Sequence, residues 1–194
     1  MSENFFAYIS RMRYITRWSL MRNSYEENIQ EHSHMVAVLA HALAVIRNRY
    51  FGGCVDEGAV AVAALYHDAS EILTGDLPTP IKYYNPAIRT SYKAIEAVAQ
   101  DKLLSMLPEE LQPDFEPVLK EADAEIGELV KAADKLSAYI KCVEEQKAGN
   151  NEFCAAAKQI YQTLSENSLP EVRFFMEHFL PAFELTLDEL NESN

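Results

Sequence analysis

Apolar residues recur along much of this chain at the three- and four-residue spacing of a helix face. The clearest set is Val36, Leu39, Leu43 and Ile46, which fall on one side of a helix and predict a core-facing surface. No segment shows the apolar–polar alternation of a half-buried strand. We therefore expect an all-α fold, a compact helical bundle that forms a single domain over residues 1–194. The predicted helices cover approximately residues 5–15, 28–51, 56–73, 91–107, 109–119, 125–147, 151–164 and 171–179.

Capping residues and helix breakers place several of the predicted helix ends. Asn28 with Glu31 three residues later has the form of a capping box. Asp56 can cap the next helix, and Gly75 suits the left-handed conformation that follows a helix end. Two prolines lie in residues 76–80, so we expect a stiff, non-helical loop there.

The bulk composition narrows the range of functions. Hydrophobic residues make up 48% of the 194 residues, which excludes wholesale disorder. The net charge of −13 argues against a nucleic-acid polymer as partner, because such binding depends on neutralising phosphates. A small phosphate ester could still bind beside a metal and one or two arginines. Four arginines lie in the first 22 residues, although a solvated helix face explains most of them: Arg11, Arg13, Arg17 and Arg22.

Cysteine spacing and hydropathy indicate a cytosolic protein without membrane contact. The three cysteines (Cys54, Cys142 and Cys154) form no CxxC pair and predict neither a disulfide framework nor a cysteine zinc site. The most apolar stretch, residues 35–46, is too short to span a bilayer. The first residues lack the basic start and apolar run of a signal peptide.

Ionisable residues inside apolar helices are the most informative positions. His32 shares a helix face with the apolar set above, and His67 and Asp68 follow a run that should be largely buried. Glu71, four residues after His67, is predicted to project from the same helix face. Asp134 lies in a further apolar helix. Burying such groups is unfavourable unless they are paired or bind a metal, so we expect convergence on a cation.

Two imidazoles and two carboxylates suit a divalent ion such as Mn²⁺, Co²⁺, Fe²⁺ or Zn²⁺. Such an ion activates water and polarises a phosphoryl group, and Glu71 is placed to handle the proton that a leaving ester oxygen needs. The spacing alone leaves a buried polar network as an alternative. His34 and His41 lie on another side of their helix and have no evident acidic partner, so they form a weaker candidate pair.

Six short segments around these residues carry a resemblance to a known family. They are RW (17–18), EHS (31–33), YHDASE (66–71), LTGDLPTP (73–80), KAAD (131–134) and AGNNE (148–152). The order His32, His67-Asp68, Asp134 resembles the HD-domain superfamily of metal-dependent phosphohydrolases. With the other segments, the chain resembles the bacterial HD-domain 5′-deoxynucleotidases from about Phe5 to about Glu189.

The resemblance implies hydrolysis of 2′-deoxyribonucleoside 5′-monophosphates to deoxynucleoside and phosphate by a homodimer. It implies one divalent transition metal per subunit, with Co²⁺ or Mn²⁺ ahead of Zn²⁺, Fe²⁺ or Cu²⁺. The metal ligands would be His32, His67, Asp68 and Asp134. Glu71 would be the catalytic acid/base, and Arg17 would orient the substrate phosphate. The remaining substrate contacts would be Trp18, His32, Asp76, Leu77, Pro78 and Thr79, with Asp76 accepting from the 3′-hydroxyl and crowding at C2′ excluding ribose.

Two other classes of function stay open on the sequence. One is another HD-type reaction, such as a triphosphohydrolase, a phosphodiesterase or a di-iron oxygenase. Triphosphate cleavage calls for a more cationic pocket, and a di-iron site calls for further histidines in suitable places. The other class is a non-catalytic nucleotide-sensing module, against which the retention of every ligand and of Glu71 argues.

Overall fold

The computed structural model describes residues 3–82, 84–120 and 123–192, and for residue 79 it describes the backbone alone. Among these residues there are helices and no strand, so the predicted all-α class is confirmed. The α-helices are α1 (Phe5–Ile9), α2 (Ile29–Tyr50), α3 (Glu57–Tyr66), α4 (Glu71–Thr74), α5 (Thr79–Lys82), α6 (Pro86–Leu104), α7 (Gln112–Leu119), α8 (Ala124–Lys147), α9 (Cys154–Ser165), α10 (Pro170–His178) and α11 (Leu187–Glu192). Short 3-10 helices cover Ser10–Tyr14, Asn151–Phe153 and Leu180–Glu184.

The predicted caps of α2 and α3 are confirmed. The Asn28 side chain accepts hydrogen bonds from the amides of Gln30 and Glu31, and the Glu31 carboxylate accepts from the Asn28 amide at 3.3 Å, which completes the capping box. The Asp56 side chain accepts from the amide of Ala59 at 2.9 Å. These bonds satisfy amides that the first turn of a helix would otherwise leave unpaired.

The prediction of one helix from Asp56 to Leu73 is wrong, because α3 ends at Tyr66 and α4 begins at Glu71. In the intervening turn the amides of Ala69 and Glu71 bond to carbonyls three residues earlier, a tighter pattern than that of an α-helix. His67 and Asp68 therefore lie in a turn, and the prediction that Glu71 shares a helix face with His67 is also wrong.

Further elements differ from the prediction, including the first helix, which is α-helical only over Phe5–Ile9, and α7, which begins at Gln112 rather than near residue 109. Helix α5 occupies part of the predicted loop at residues 76–80, and its proline lies in the first turn, where no helical hydrogen bond is lost. Helix α6 begins at Pro86 rather than near Ser91, because Asn85 caps it by accepting from the Ile88 amide at 2.8 Å. Helix α11 near the end of the chain was not predicted.

The core lies where α2, α3 and α8 pack together. The four residues of the predicted apolar face of α2 are at most 5% exposed, which confirms that prediction. A second cluster packs Ala69, in the turn after α3, against Phe5 and Leu103. The turn lies beside the start of α2 and the middle of α8, so polar side chains from three elements meet inside the fold. No helix in the described ranges has both the length and the hydropathy needed to cross a bilayer.

Candidate metal centre and substrate site

The four predicted metal ligands lie together where α2, α8 and the turn after α3 meet. His32 Nε2 is 3.1 Å from Asp134 Oδ1 and 3.6 Å from Asp68 Oδ2. His67 Nε2 is 3.1 Å from the same Asp68 oxygen, and the two imidazole rings are 5.4 Å apart between centroids. Thus the structure brings together all four residues, although two of them come from a turn rather than from a helix.

Hydrogen bonds orient both imidazoles so that their Nε2 atoms face the carboxylates. His67 Nδ1 lies 2.7 Å from the Ala64 carbonyl oxygen, which can only accept, so this nitrogen carries the proton. His32 Nδ1 lies 3.2 Å from the Ser137 hydroxyl oxygen, one turn beyond Asp134 on α8. Bonds of this kind, made by the ring nitrogen away from the ion, fix metal-binding histidines in place. Each imidazole thus presents Nε2 to the same small volume.

The donor set fits a single divalent ion. One potential ligand atom from each of His32, His67 and Asp68 lies within 4.8 Å of the other two, and Asp134 adjoins this group through His32. His67 Nε2 is buried, and its 3.1 Å contact with Asp68 Oδ2 lacks the geometry of a hydrogen bond, so it has no hydrogen-bond partner among the described residues. A buried ring nitrogen without a partner is unfavourable, whereas nitrogen and carboxylate ligands together suit a borderline transition metal.

The charges around this site keep both carboxylates ionised. Burial opposes protonation of His67, but Asp68 and Asp134 outweigh it and raise the pKa of His67 to about 9. Burial would raise the pKa of Asp68, yet the neighbouring His67, His32 and Arg17 outweigh that effect and lower it. Burial of Asp134 is likewise outweighed, first by its hydrogen bond with His32, so its pKa lies well below the ordinary value. The ionised carboxylates therefore favour the presence of positive charge at this site.

Glu71, the predicted acid/base, is the first residue of α4 and is 5% exposed. Burial and then the anions Asp68 and Asp76 raise its pKa to about 9, while Arg17 and Lys82 act in the opposite direction. Its Oε2 atom is buried without a hydrogen-bond partner in the described chain. A carboxyl group in this environment holds a proton at neutral pH and can donate it.

Arg17 reaches the predicted metal ligands from the loop before α2. Its NH1 atom lies 3.4 Å from Asp68 Oδ2, and its Nε atom lies 3.1 Å from Glu27 Oε2. Burial would lower the pKa of Arg17, but the surrounding carboxylates, with Asp68 first, raise it. The guanidinium is therefore a permanent positive charge beside the ligand cluster, suited to a phosphate group.

The other predicted substrate contacts lie on two loops next to this site. Trp18 follows Arg17, packs against Phe153 at 5.3 Å between ring centroids, and donates from Nε1 to Glu27 Oε2 at 3.1 Å. Asp76, Leu77 and Pro78 are half-buried on the loop between α4 and α5. Burial is the main cause of a raised pKa of Asp76, and Arg17 acts against it. The side chain of Thr79 is outside the described part of the chain.

The loop that carries Arg17 and Trp18 is anchored to the end of α8. The buried Glu145 carboxylate accepts hydrogen bonds from Lys141, from the Ser24 amide at 2.8 Å and from Asn150 Nδ2 at 2.8 Å. Asn150 Nδ2 also donates to the Arg22 carbonyl at 2.6 Å. The AGNNE segment (148–152) thus lies far from the ligands in sequence but supports the loop that faces them.

Sequence reasoning missed three residues that shape the site. Glu27 binds both Arg17 and Trp18, Lys135 lies 3.3 Å from Asp134 Oδ2, and Ser137 orients His32. Ser137 could have been found, because a residue three positions after Asp134 shares its helix face. No local pattern marks Glu27. The weaker candidates His34 and His41 are exposed on the surface of α2.

Comparisons with known proteins identify a family and several relatives of this chain. A family model for 5′-deoxynucleotidases of the YfbR-like type matches residues 4–183. A 5′-deoxynucleotidase of Vibrio vulnificus is 54% identical over 191 residues, which cover 97% of this chain and 98% of the relative. The 5′-deoxynucleotidase YfbR of Escherichia coli is 53% identical over 195 residues, which cover 99% of this chain and 98% of the relative.

Solved structures share the fold. An HD-domain phosphohydrolase from Listeria innocua superimposes with a TM-score of 0.81 at 26% identity, covering 93% of this chain and 88% of that one. An HD phosphohydrolase of cyanophage S-2L, bound to dA and one catalytic Zn²⁺ ion, superimposes with a TM-score of 0.63 at 22% identity, covering 93% of this chain and 96% of that one. The likeness to the phage protein shows the fold alone.

An all-α chain that gathers two histidines and two aspartates in this way has the architecture of the HD-domain phosphohydrolases. The matches over nearly the full length are more specific. The chain belongs to the YfbR-like 5′-deoxynucleotidase family, which confirms the predicted family and enzyme class.

Proposed function

We propose that this enzyme removes the phosphate from 2′-deoxyribonucleoside 5′-monophosphates with the help of one divalent transition metal. The observation that carries the proposal is the buried group of His32, His67 and Asp68, with Asp134 and Arg17 beside it, in a member of this family. The 5′-deoxynucleotidase relatives, more than half identical over nearly the whole chain, support this reaction.

In this proposal the metal is held by His32, His67, Asp68 and Asp134. When bound, a divalent ion supplies Lewis-acid charge to the phosphoryl group and lowers the pKa of water. Mixed nitrogen and oxygen ligands accept several divalent transition metals. Among these, the family resemblance favours Co²⁺ and Mn²⁺ as the first candidates, followed by Zn²⁺, Fe²⁺ and Cu²⁺. The phage structure with Zn²⁺ gives zinc additional weight as a test metal.

The chain's own side chains would bind the phosphate and handle the proton. Arg17 would hold the phosphate through its guanidinium, already aligned between Glu27 and Asp68. In hydrolysis the bond between phosphorus and O5′ breaks, an oxygen from water bonds to phosphorus, that water gives up one proton, and O5′ takes up a proton. Glu71, in which burial and nearby anions favour the protonated form in the metal-free protein, would donate a proton to O5′ and take one back from the attacking water.

The sugar would lie between the two loops that flank the ligands. Besides His32, its contacts would be Trp18, Asp76, Leu77, Pro78 and Thr79. Asp76 would accept from the 3′-hydroxyl, and crowding at C2′ would exclude ribose. The half-buried positions of Trp18 and Asp76 beside Arg17 support this arrangement.

The decisive experiment is phosphate release from a panel of deoxyribo- and ribonucleoside 5′-monophosphates by chelator-treated protein reloaded with each metal. We expect activity on deoxyribonucleotides, restored by Co²⁺ or Mn²⁺ and absent without metal. Equal rates on ribonucleotides would remove the sugar selectivity. No release with any metal would overturn the proposed function.

Assembly and location are part of the same proposal. A homodimer is supported by large apolar side chains exposed on α2, α3 and α6, namely Val38, Val62, Leu65, Ile95 and Val98. Sedimentation velocity at micromolar protein concentration tests whether the homodimer forms.

Three free thiols support a reducing, cytosolic location. The core shared by α2, α3, α8 and α10 supports one domain over residues 1–194.

A further inference from the structure

The loop before α2 folds back on itself and brings three functional side chains together. Thr16 and Asn28 form an isolated antiparallel bridge, and the Arg17 amide donates to the Glu27 carbonyl at 2.9 Å. This pairing places the side chain of Glu27 opposite those of Arg17 and Trp18, although ten and nine positions separate them in sequence.

One carboxylate oxygen serves both neighbours. Glu27 Oε2 lies 3.1 Å from Arg17 Nε and 3.1 Å from Trp18 Nε1, and the Arg17 and Glu27 side chains are only 12% and 13% exposed. An arginine and an indole N–H can only donate, so each needs an acceptor when it is shielded from water. Arg17 also lies 3.4 Å from Asp68, so its guanidinium bridges Glu27 and the ligand group.

The backbone of Trp18 needs support at this point. Its φ angle of 58° lies in the left-handed region, which is unfavourable for a large side chain and persists only where surrounding contacts determine it. Phe153 packs against the indole ring, and Glu27 fixes its N–H edge. Of these two contacts, only the one with Glu27 also sets the position of Arg17.

We propose that Glu27 is a positioning residue that holds Arg17 and Trp18 at a fixed separation, so that the phosphate and the sugar of one nucleotide are recognised together. This inference rests on the proposed function, in which Arg17 binds phosphate and Trp18 faces the sugar. It predicts that one substitution outside the ligand group changes both the rate and the choice of sugar. A purely structural acid would change stability without altering that choice.

The test compares Glu27→Ala, Glu27→Gln and wild type as full-length, Mn²⁺-loaded enzymes. For Glu27→Ala we expect kcat/KM on deoxyribonucleotides to fall about 10- to 100-fold, the range for one charge-assisted hydrogen bond, and the preference over ribonucleotides to fall about 10-fold. Glu27→Gln keeps an acceptor oxygen but loses the charge, so its changes should be smaller and in the same direction. Glu26→Ala removes the neighbouring exposed carboxylate and serves as the matched control.

Fluorescence gives a readout that does not depend on turnover. The chain contains one tryptophan, so the indole emission reports on Trp18 alone. Loss of the Glu27 contact should lower the emission anisotropy, whereas Glu26→Ala should leave it unchanged.

If Glu27→Ala kept the anisotropy and the sugar preference of wild type, the inference would be overturned and the proposed function would still stand. If wild type released no phosphate, the proposed function would fall, and unchanged anisotropy would then overturn the positioning role as well. Should Glu27→Ala fail to fold, unchanged values of all three readouts in Glu27→Gln would overturn it.

Discussion

Replacing Glu71 with glutamine keeps the size of the side chain and removes its titratable proton. Glu71 is 5% exposed, and burial together with Asp68 and Asp76 raises its pKa from 4.5 to about 9. In the metal-free protein this carboxyl group therefore resists ionisation at neutral pH. In the unfolded chain it ionises freely above its ordinary pKa.

The sign of the effect on stability follows from this difference. A carboxyl group whose pKa is raised by folding makes its full contribution to the free energy of unfolding below its unfolded pKa. For Glu71 that contribution is lost as the pH rises from 4.5 towards about 9. Neutral pH lies about 2.5 pH units above 4.5, and each pH unit corresponds to about 1.36 kcal/mol. Ionisable Glu71 thus lowers the free energy of unfolding at pH 7 by about 3 kcal/mol. Glutamine has no such effect, so at pH 7 the metal-free variant should be more stable by up to about 3 kcal/mol.

Urea denaturation of chelator-treated protein at several pH values measures this difference. The advantage of Glu71→Gln should vanish towards about pH 4, where both side chains are neutral, and should grow as the pH rises through neutrality towards about 9. With metal bound, the same variant should retain the ion but lose about 10²- to 10⁴-fold in kcat. Glu109→Gln, at an exposed position, is the matched control. Equal stability of variant and wild type across the whole pH range would refute the reasoning from burial.

Three further outcomes are expected. His67→Ala and Asp68→Asn should each abolish metal retention, measured as metal per subunit after dialysis; full occupancy would contradict their role as ligands. Ser137→Ala should lower metal affinity about 10- to 100-fold in a chelator competition titration, and unchanged affinity would refute its orienting role. Burial opposes ionisation of Glu145, but its hydrogen bonds, first with Lys141 and then with Asn150 and Ser24, outweigh this and lower its pKa to about 2. The stabilising contribution of Glu145 is therefore lost as the pH falls from 4.5 towards 2. Glu145→Gln should flatten that dependence in thermal unfolding, and an unaltered pH profile would count against it.

The helical periodicity of the chain was enough to predict its class and the burial of His32. Helix α2 has both signals that local sequence can carry, a capping box and an apolar face, and both are present in the structure. The start of α6 carried a comparable signal in Asn85 followed by Pro86, a cap and a favoured first residue, which the prediction near Ser91 overlooked.

The break after α3 could not be read from local pattern. The run that contains His67 and Asp68 continues with good helix formers to Leu73, so periodicity favours one helix. The turn depends on contacts from elsewhere, including the packing of Ala69 against Phe5 and Leu103. Tertiary packing of this kind overrides local propensity. The role of Glu27 is hidden for the same reason, because it arises only when the loop before α2 folds back.

The two imidazoles differ in what holds their far nitrogen, and this difference affects how the enzyme can change over time. His67 is tied to the main-chain oxygen of Ala64, an atom that every amino acid supplies at that position. His32 relies on the hydroxyl of Ser137, which a single codon change can delete. Ala64 is itself fully buried, so a substitution there should leave ring orientation intact only if the new side chain fits the same space. Drift at position 137 gives a simple route to weaker metal binding without altering any ligand.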